Sequence, residues 1–237
     1  MELLQFVRRK LFDSILEEIR QKKPVSDIAR DINIEELNLA AVRHNGRNII
    51  SIPEDLLTVP ICLAAVRNDG NALQHVPEHL LDGQICLEAV RQCGSALKFV
   101  PDVLCTPEIY LGAVESDGNV LDLVPVEYRS PAVCHAAIRQ NGRALAYVPT
   151  ELRTYDLCLA AVRSNGWAIV DVPGCFLAPE ICLAAVASHG SVLLHVPERL
   201  RTPEICLVAV AEDAEALQYV PQESRKEEVE RVGGIHC

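Results

Sequence analysis

Ten cysteines and seven histidines are the side chains of this chain best suited to hold a metal or attack an electrophile. Zinc and iron–sulfur sites draw on close pairs such as C-x-x-C. The tightest spacings here are Cys86 to Cys93, Cys175 to Cys182 and Cys93 to Cys105, and none matches a ligand pattern. His75 and His79 stand at a spacing that would put two imidazoles on one helical face, but Pro77 lies between them and breaks such a helix. A cysteine–histidine nucleophile pair needs hydrogen-bond reach inside a cleft, which no spacing here dictates. No G-x-x-x-x-G-K-[ST] phosphate cradle occurs. The expectation is a non-enzymatic chain with no catalytic residue, no cofactor and no metal. Cys105 and His135 are the two departures from pattern where an unrecognised enzyme site would be sought first.

Six of the cysteines (Cys62, Cys86, Cys134, Cys158, Cys182, Cys206) share one phase of a repeat. With Leu37 as position 1, its equivalents are Ile61, Ile85, Ile109, Val133, Leu157, Ile181 and Ile205, a spacing of 24 residues without insertion or deletion. A thiol in the same slot of successive repeats reads as a small core hydrophobe, kept reduced in a cytoplasm. Position 5 is Ala in every repeat and position 6 Val or Ile, small residues that let helices approach closely.

The elements that place these residues follow from the same alignment. Thr106-Pro107-Glu108 and Thr202-Pro203-Glu204 put an N-cap hydroxyl, a proline and an acid in the order that starts a helix. Position 10 is Gly in seven repeats and Ala214 in the last, read as a left-handed helix terminator. A helix of about three turns between these signals is expected. Apolar positions 13 and 16, as in Leu73 and Val76, predict a second short helix, which Pro at position 17 ends. Leu56, Leu80, Leu104, Leu152 and Leu200 are expected to turn back to the core. ICLAAVR lacks the alternation of a strand.

One repeat cannot bury its own apolar face, so the fold class is all-α, an α-solenoid of eight helix–turn–short-helix repeats. The expected domains are a helical cap at 1–36, the solenoid at 37–228 and a tail at 229–237. The cap shows Leu4, Leu11, Ile15 and Ile19 along one side. A net charge of −11 argues against nucleic acid as the main partner. No apolar stretch approaches the roughly 20 residues of a membrane span, so no membrane insertion is expected. A soluble, monomeric, cytoplasmic chain follows.

The wording CLAAVR-x-N-G-x-AL-x-x-VPE-x-L-x-T-P-E, clear from Leu157 to Val172 and from Ile181 to Glu204, resembles the domain of unknown function 4116 family. The likeness covers about residues 37–221. It implies a helical interaction module of a kind found in intracellular and host-associated bacteria, sometimes beside effector domains, and it supplies no catalytic residues. Tyr110, His135 and Ala214 depart from the pattern.

Partner recognition in a solenoid belongs to variable residues on a fixed frame, and aromatic anchors dominate such interfaces. Position 15 reads Ser51, His75, Phe99, Leu123, Tyr147, Asp171, His195 and Tyr219, with Trp167 at position 11. Phe99, Tyr147, Trp167, Tyr219, His75 and His195 are therefore the candidate residues for binding another protein. The competing reading is that the aromatics half-bury between repeats. Position 7 carries Arg43, Arg67, Arg91, Arg139 and Arg163, a ladder read as solvated and partly salt-bridged, with Glu88 one turn from Arg91. The acidic run Glu227–Glu230 resembles tail signals of secreted effectors, so delivery into a host cell is a further expectation.

Overall fold

In the computed structural model the described residues are 34–222, and the expected amphipathic cap before Ile34 and the acidic run Glu227–Glu230 lie outside them. The chain divides into two compact bodies, Met1–Cys105 and Thr106–Cys237. The first contains α1 (Ile34–His44), α2 (Val59–Asn68) and α3 (Gly83–Gln92). The second contains α4 (Pro107–Ser116), α5 (Pro131–Gln140), α6 (Tyr155–Ser164), α7 (Pro179–Ser188) and α8 (Pro203–Glu212). No strand occurs among the described residues, and the fold is an all-α solenoid of tandem repeats.

Five of the α-helices start on a side-chain cap, while Thr58 and Ala178, before α2 and α7, make no such bond. The side chains of Asp82, Thr106, Ser130, Thr154 and Thr202 accept a hydrogen bond from the position 1 N–H three residues on. Such caps satisfy donors that a helix start leaves unpaired. The second segment is a six-residue 3₁₀ helix in every repeat, from Gly46–Ser51 to Ala214–Tyr219. Position 16 is extended and Pro follows it.

The helix ends differ from the expectation. Gly46, Gly70, Gly118, Gly142, Gly166 and Gly190 do not adopt a left-handed conformation. The residue before each turns the chain, with extended backbone at φ −141 to −152. Asn45, Asp69, Asp117, Asn141, Asn165 and Asp213 also accept a bond from the N–H two residues on, capping the 3₁₀ helix.

Glycine is required for another reason, the approach of the following repeat. A Cβ on Gly46 or Gly70 would lie 2.4 Å from the carbonyl oxygen of Ala65 or Ala89. In the second body, Gly118 and Gly142 face the Ala137 and Ala161 carbonyls, at 2.3 and 2.0 Å from such a Cβ. Ala214 has no following repeat among the described residues, and there the glycine is gone.

The core is built from the expected positions. Ile61, Cys62, Ala65, Val66, Ala72 and Leu73 are at most 1% exposed. The periodic cysteines Cys62, Cys86, Cys134, Cys158, Cys182 and Cys206 are all buried, and burial raises each thiol's pKa, to about 11 for Cys62 and Cys86. Tyr110 fills the same slot in α4 and packs its ring 5.0 Å from that of Tyr128. Of the leucines at position 20, Leu80, Leu104, Leu152 and Leu200 are half-buried. Leu56 is 38% exposed, whereas its neighbour Leu57 is buried.

Replacing Gly142 by Ala should destabilise the fold by about 1–3 kcal/mol, the cost of overpacking a seam that cannot part. Gly83→Ala should be neutral or slightly stabilising, because nothing lies within 4 Å of the added carbon. Urea midpoints for the two variants check this contrast. The buried thiols make a second prediction: unfolded, they ionise near 9.0, but Cys62 and Cys86 stay protonated in the fold to about 11. Stability should therefore be retained below the unfolded value and fall as pH rises from it through the folded one, as read from denaturant midpoints across that window.

Candidate protein-binding ridge

A 3₁₀ helix has three residues per turn, so positions 10 and 13 share one side, and position 16, in extended backbone just past the helix, is buried beside them in all but the last repeat. In the repeat headed by Ile181 these are Gly190, Leu193 and Val196, all buried together with Val192 at position 12. Positions 11, 14 and 15 are left to face outward. This division of the turn turns successive 3₁₀ helices into a ridge, its base fixed and its crest free to vary.

In the second body the ridge runs from the 3₁₀ helix Gly118–Leu123 to Ala214–Tyr219, with adjacent segments in contact. Its crest mixes exposed polar residues such as Asp122, Arg143 and Gln218 with exposed apolar ones. Leu123, Tyr147, Val170 and Leu194 are 45%, 44%, 52% and 37% exposed. Trp167 is half-buried, with its ring edge-on to His195 at 5.6 Å, so two of the candidate residues from adjacent repeats meet. His195 is exposed and Tyr219 half-buried. In the first body His75 is exposed and, with Ile50 and Gln74, lines two shallow hollows of about 200 and 290 Å³. Phe99 is half-buried, with the Lys98 ammonium 4.8 Å from its ring centre.

The backbone under the crest is held by three arginines at position 21. Arg129 donates from Nε to the Val124 carbonyl at 2.8 Å, from Nη2 to Asp122 at 3.3 Å, and from Nη1 across to Tyr147 of the next repeat at 2.7 Å. Arg153 does the same to Val148, Ala146 and Asp171, and Arg201 to Val196, Leu194 and Tyr219. The planar guanidinium suits this three-way grip, and the charged donor strengthens each bond.

A second set of bonds runs along the seam at position 8. The Gly46 N–H donates to Asn68 Oδ1 at 2.7 Å, while Asn68 Nδ2 donates to the Arg43 carbonyl at 2.9 Å. Gln92 repeats the pattern with Gly70 and Asn68. Ser164 and Ser188 accept from Gly142 and Gly166. Ser188 Oγ also lies 2.9 Å from His189 Nδ1, so that serine–histidine pair belongs to the seam. Sequence reasoning passed over positions 8 and 21. The available signal was a polar or cationic residue returning at one phase.

The arginine ladder is partly paired, between repeats. Arg67 Nε lies 3.0 Å from Glu88 Oε2, and this bond, followed by the charges of Arg67 and Arg91, lowers the Glu88 pKa. Arg163 pairs with Glu180 at 3.1 Å, and the Tyr155 hydroxyl donates to the same carboxylate. Among the described residues no cluster of three or more His, Cys, Asp or Glu side chains is arranged to hold a metal ion. No described helix is long and apolar enough to cross a membrane. His135 is exposed, and Cys105 is half-buried with its thiol toward the Val100 carbonyl.

Replacing Arg153 by Met should cost about 1.5–3 kcal/mol, since it removes charge-assisted bonds to three carbonyls. Arg153→Lys should not restore the loss, because an ammonium cannot reproduce the fork. Chemical denaturation of the three proteins is the measurement.

Comparison with known proteins places these repeats. No curated protein and no solved structure matches the chain. A family model described as a domain of unknown function, DUF4116, matches residues 35–81, 82–129 and 179–225. Each match spans about two repeats, and residues 130–178 between them continue the same helix and 3₁₀ geometry. With more than half of its length matched, the chain belongs to the DUF4116 family.

Proposed function

We propose that this chain is a non-enzymatic repeat scaffold that binds another protein through the crest of its 3₁₀ ridge. The observation that carries the reading is the pattern of exposure. Leu123, Tyr147, Val170 and Leu194 stand out of positions 14 and 15, while positions 12 and 13 beneath them are buried. Burying such side chains against a partner is favourable at about 25 cal/mol per Å² of apolar surface. The arginine grips hold the crest backbone in place, which lowers the entropy cost of association. Tyr147 and the Trp167–His195 pair are the anchors in the second body, and Phe99 with His75 form a smaller patch in the first.

The scaffold acts as a monomer in the cytoplasm under this proposal, and a role as an effector delivered into a host cell is its extension. That extension rests on the acidic Glu227–Glu230 run and on the resemblance that suggested host-associated bacteria. A structural or regulatory role in the chain's own cell is the alternative.

Replacing Phe99, Tyr147 and Trp167 together by Ala should abolish partner recovery in a pull-down while leaving helical circular dichroism intact. Undiminished recovery with an intact fold would sink the ridge as the binding face. Removing residues 222–237 should abolish export if the tail carries the signal, and undiminished export would exclude it.

A further inference from the structure

The two last described helices differ from the other six in a way the ridge does not use. The outward positions 3, 4 and 7 of α7 are Leu183, Ala184 and Ala187, and those of α8 are Leu207, Val208 and Ala211. Elsewhere position 7 holds Arg or Glu115, so only in these two helices is the outer flank apolar. A helix that is apolar all round ordinarily has both faces covered. Here Leu207 remains 48% exposed. Between the two helices runs a groove of about 740 Å³ lined by Pro179, Leu183, Pro203, Leu207 and Val208, with Glu180 and Glu204 as the charged groups and no basic one.

Size and charge select what fills it. Each helix has 10 residues, a length of about 15 Å, and packed helices lie about 8–10 Å apart. Two helices side by side, each about 10 Å across, then offer a shared outer face of roughly 300 Å², well short of the approximately 800 Å² per partner of a stable protein dimer. That area is too small for a second copy of the chain and fits one short helix laid in the groove. Glu180 is engaged by Arg163 and Tyr155, whereas Glu204 is exposed. We infer that the α7–α8 groove binds an amphipathic helix of about three turns, its apolar face on Leu183, Leu207 and Val208 and a lysine or arginine at one end against Glu204.

A displayed library of twelve-residue peptides panned on the full chain tests this. Enriched sequences should carry large apolar residues at i, i+3, i+4 and i+7 with Lys or Arg at one end. Measured by fluorescence anisotropy, affinity for a labelled enriched peptide should fall by about tenfold or more in Leu207→Glu, which sets a carboxylate against the apolar face. Glu204→Lys should reverse the preference, favouring the same peptide with Glu in place of its terminal basic residue. The Phe99, Tyr147 and Trp167 variant should bind the peptide unchanged, so failure here is separable from failure of the ridge. Absence of enrichment, equal binding by Leu207→Glu, or no charge reversal in Glu204→Lys would overturn the inference. So would concentration-dependent self-association, in sedimentation, that Leu207→Glu abolishes, since it would make a second copy the occupant.

Discussion

The close approach of a glycine Cα to the carbonyl of the next repeat's position 5 alanine is the constraint on which the rest depends. In each body a Cβ at position 10 would fall well inside contact distance of that oxygen. Once the approach is set, position 5 cannot carry a large side chain, and the chain must leave its helix one residue early, in extended backbone. The position 10 N–H then points at the next repeat, where a side chain at position 8 receives it in four of the seams. Asn68 and Gln92 close the exchange by returning a donor to a helix-end carbonyl. Helix ends are costly places to bury because their carbonyls lack partners. These repeats use those very groups to join neighbours.

The arginines at position 21 extend the same logic to the end of the 3₁₀ helix. All of their acceptors are main-chain oxygens. The frame is therefore held largely by backbone atoms and by small or apolar side chains pointing inward. The crest contributes little to that frame, and its side chains can respond to a partner without weakening the stack.

The sequence showed the frame well and the joints poorly. The period, the alanines, the buried thiols and the Thr-Pro-Glu caps were all visible, because each depends on contacts within one repeat or on averages over many. The position 10 glycine was visible but misread, since the local reason for a glycine at a helix end competes with a tertiary one that appears only when two repeats are placed side by side. Arg129, Arg153 and Arg201 were hidden for a related cause. Their acceptors are carbonyls, which have no letter in a sequence, and one of the three lies 18 residues ahead. For the recognition residues the limit was depth of burial. Tyr147 and Trp167 occupy ridge positions alike in sequence terms, yet one stands out and the other leans on His195.

The bonds between repeats have one further consequence. In every copy where they occur, the glycine N–H reaches a side chain 22 residues ahead and the guanidinium's bond to the next repeat reaches 18 residues ahead. A single inserted or deleted residue inside a repeat would carry donors past their acceptors and rotate the glycine off its carbonyl. Length can change without damage only by a whole repeat gained or lost. A chain built this way keeps time like a ratchet: its crest can drift letter by letter, but its size moves in steps of 24 residues.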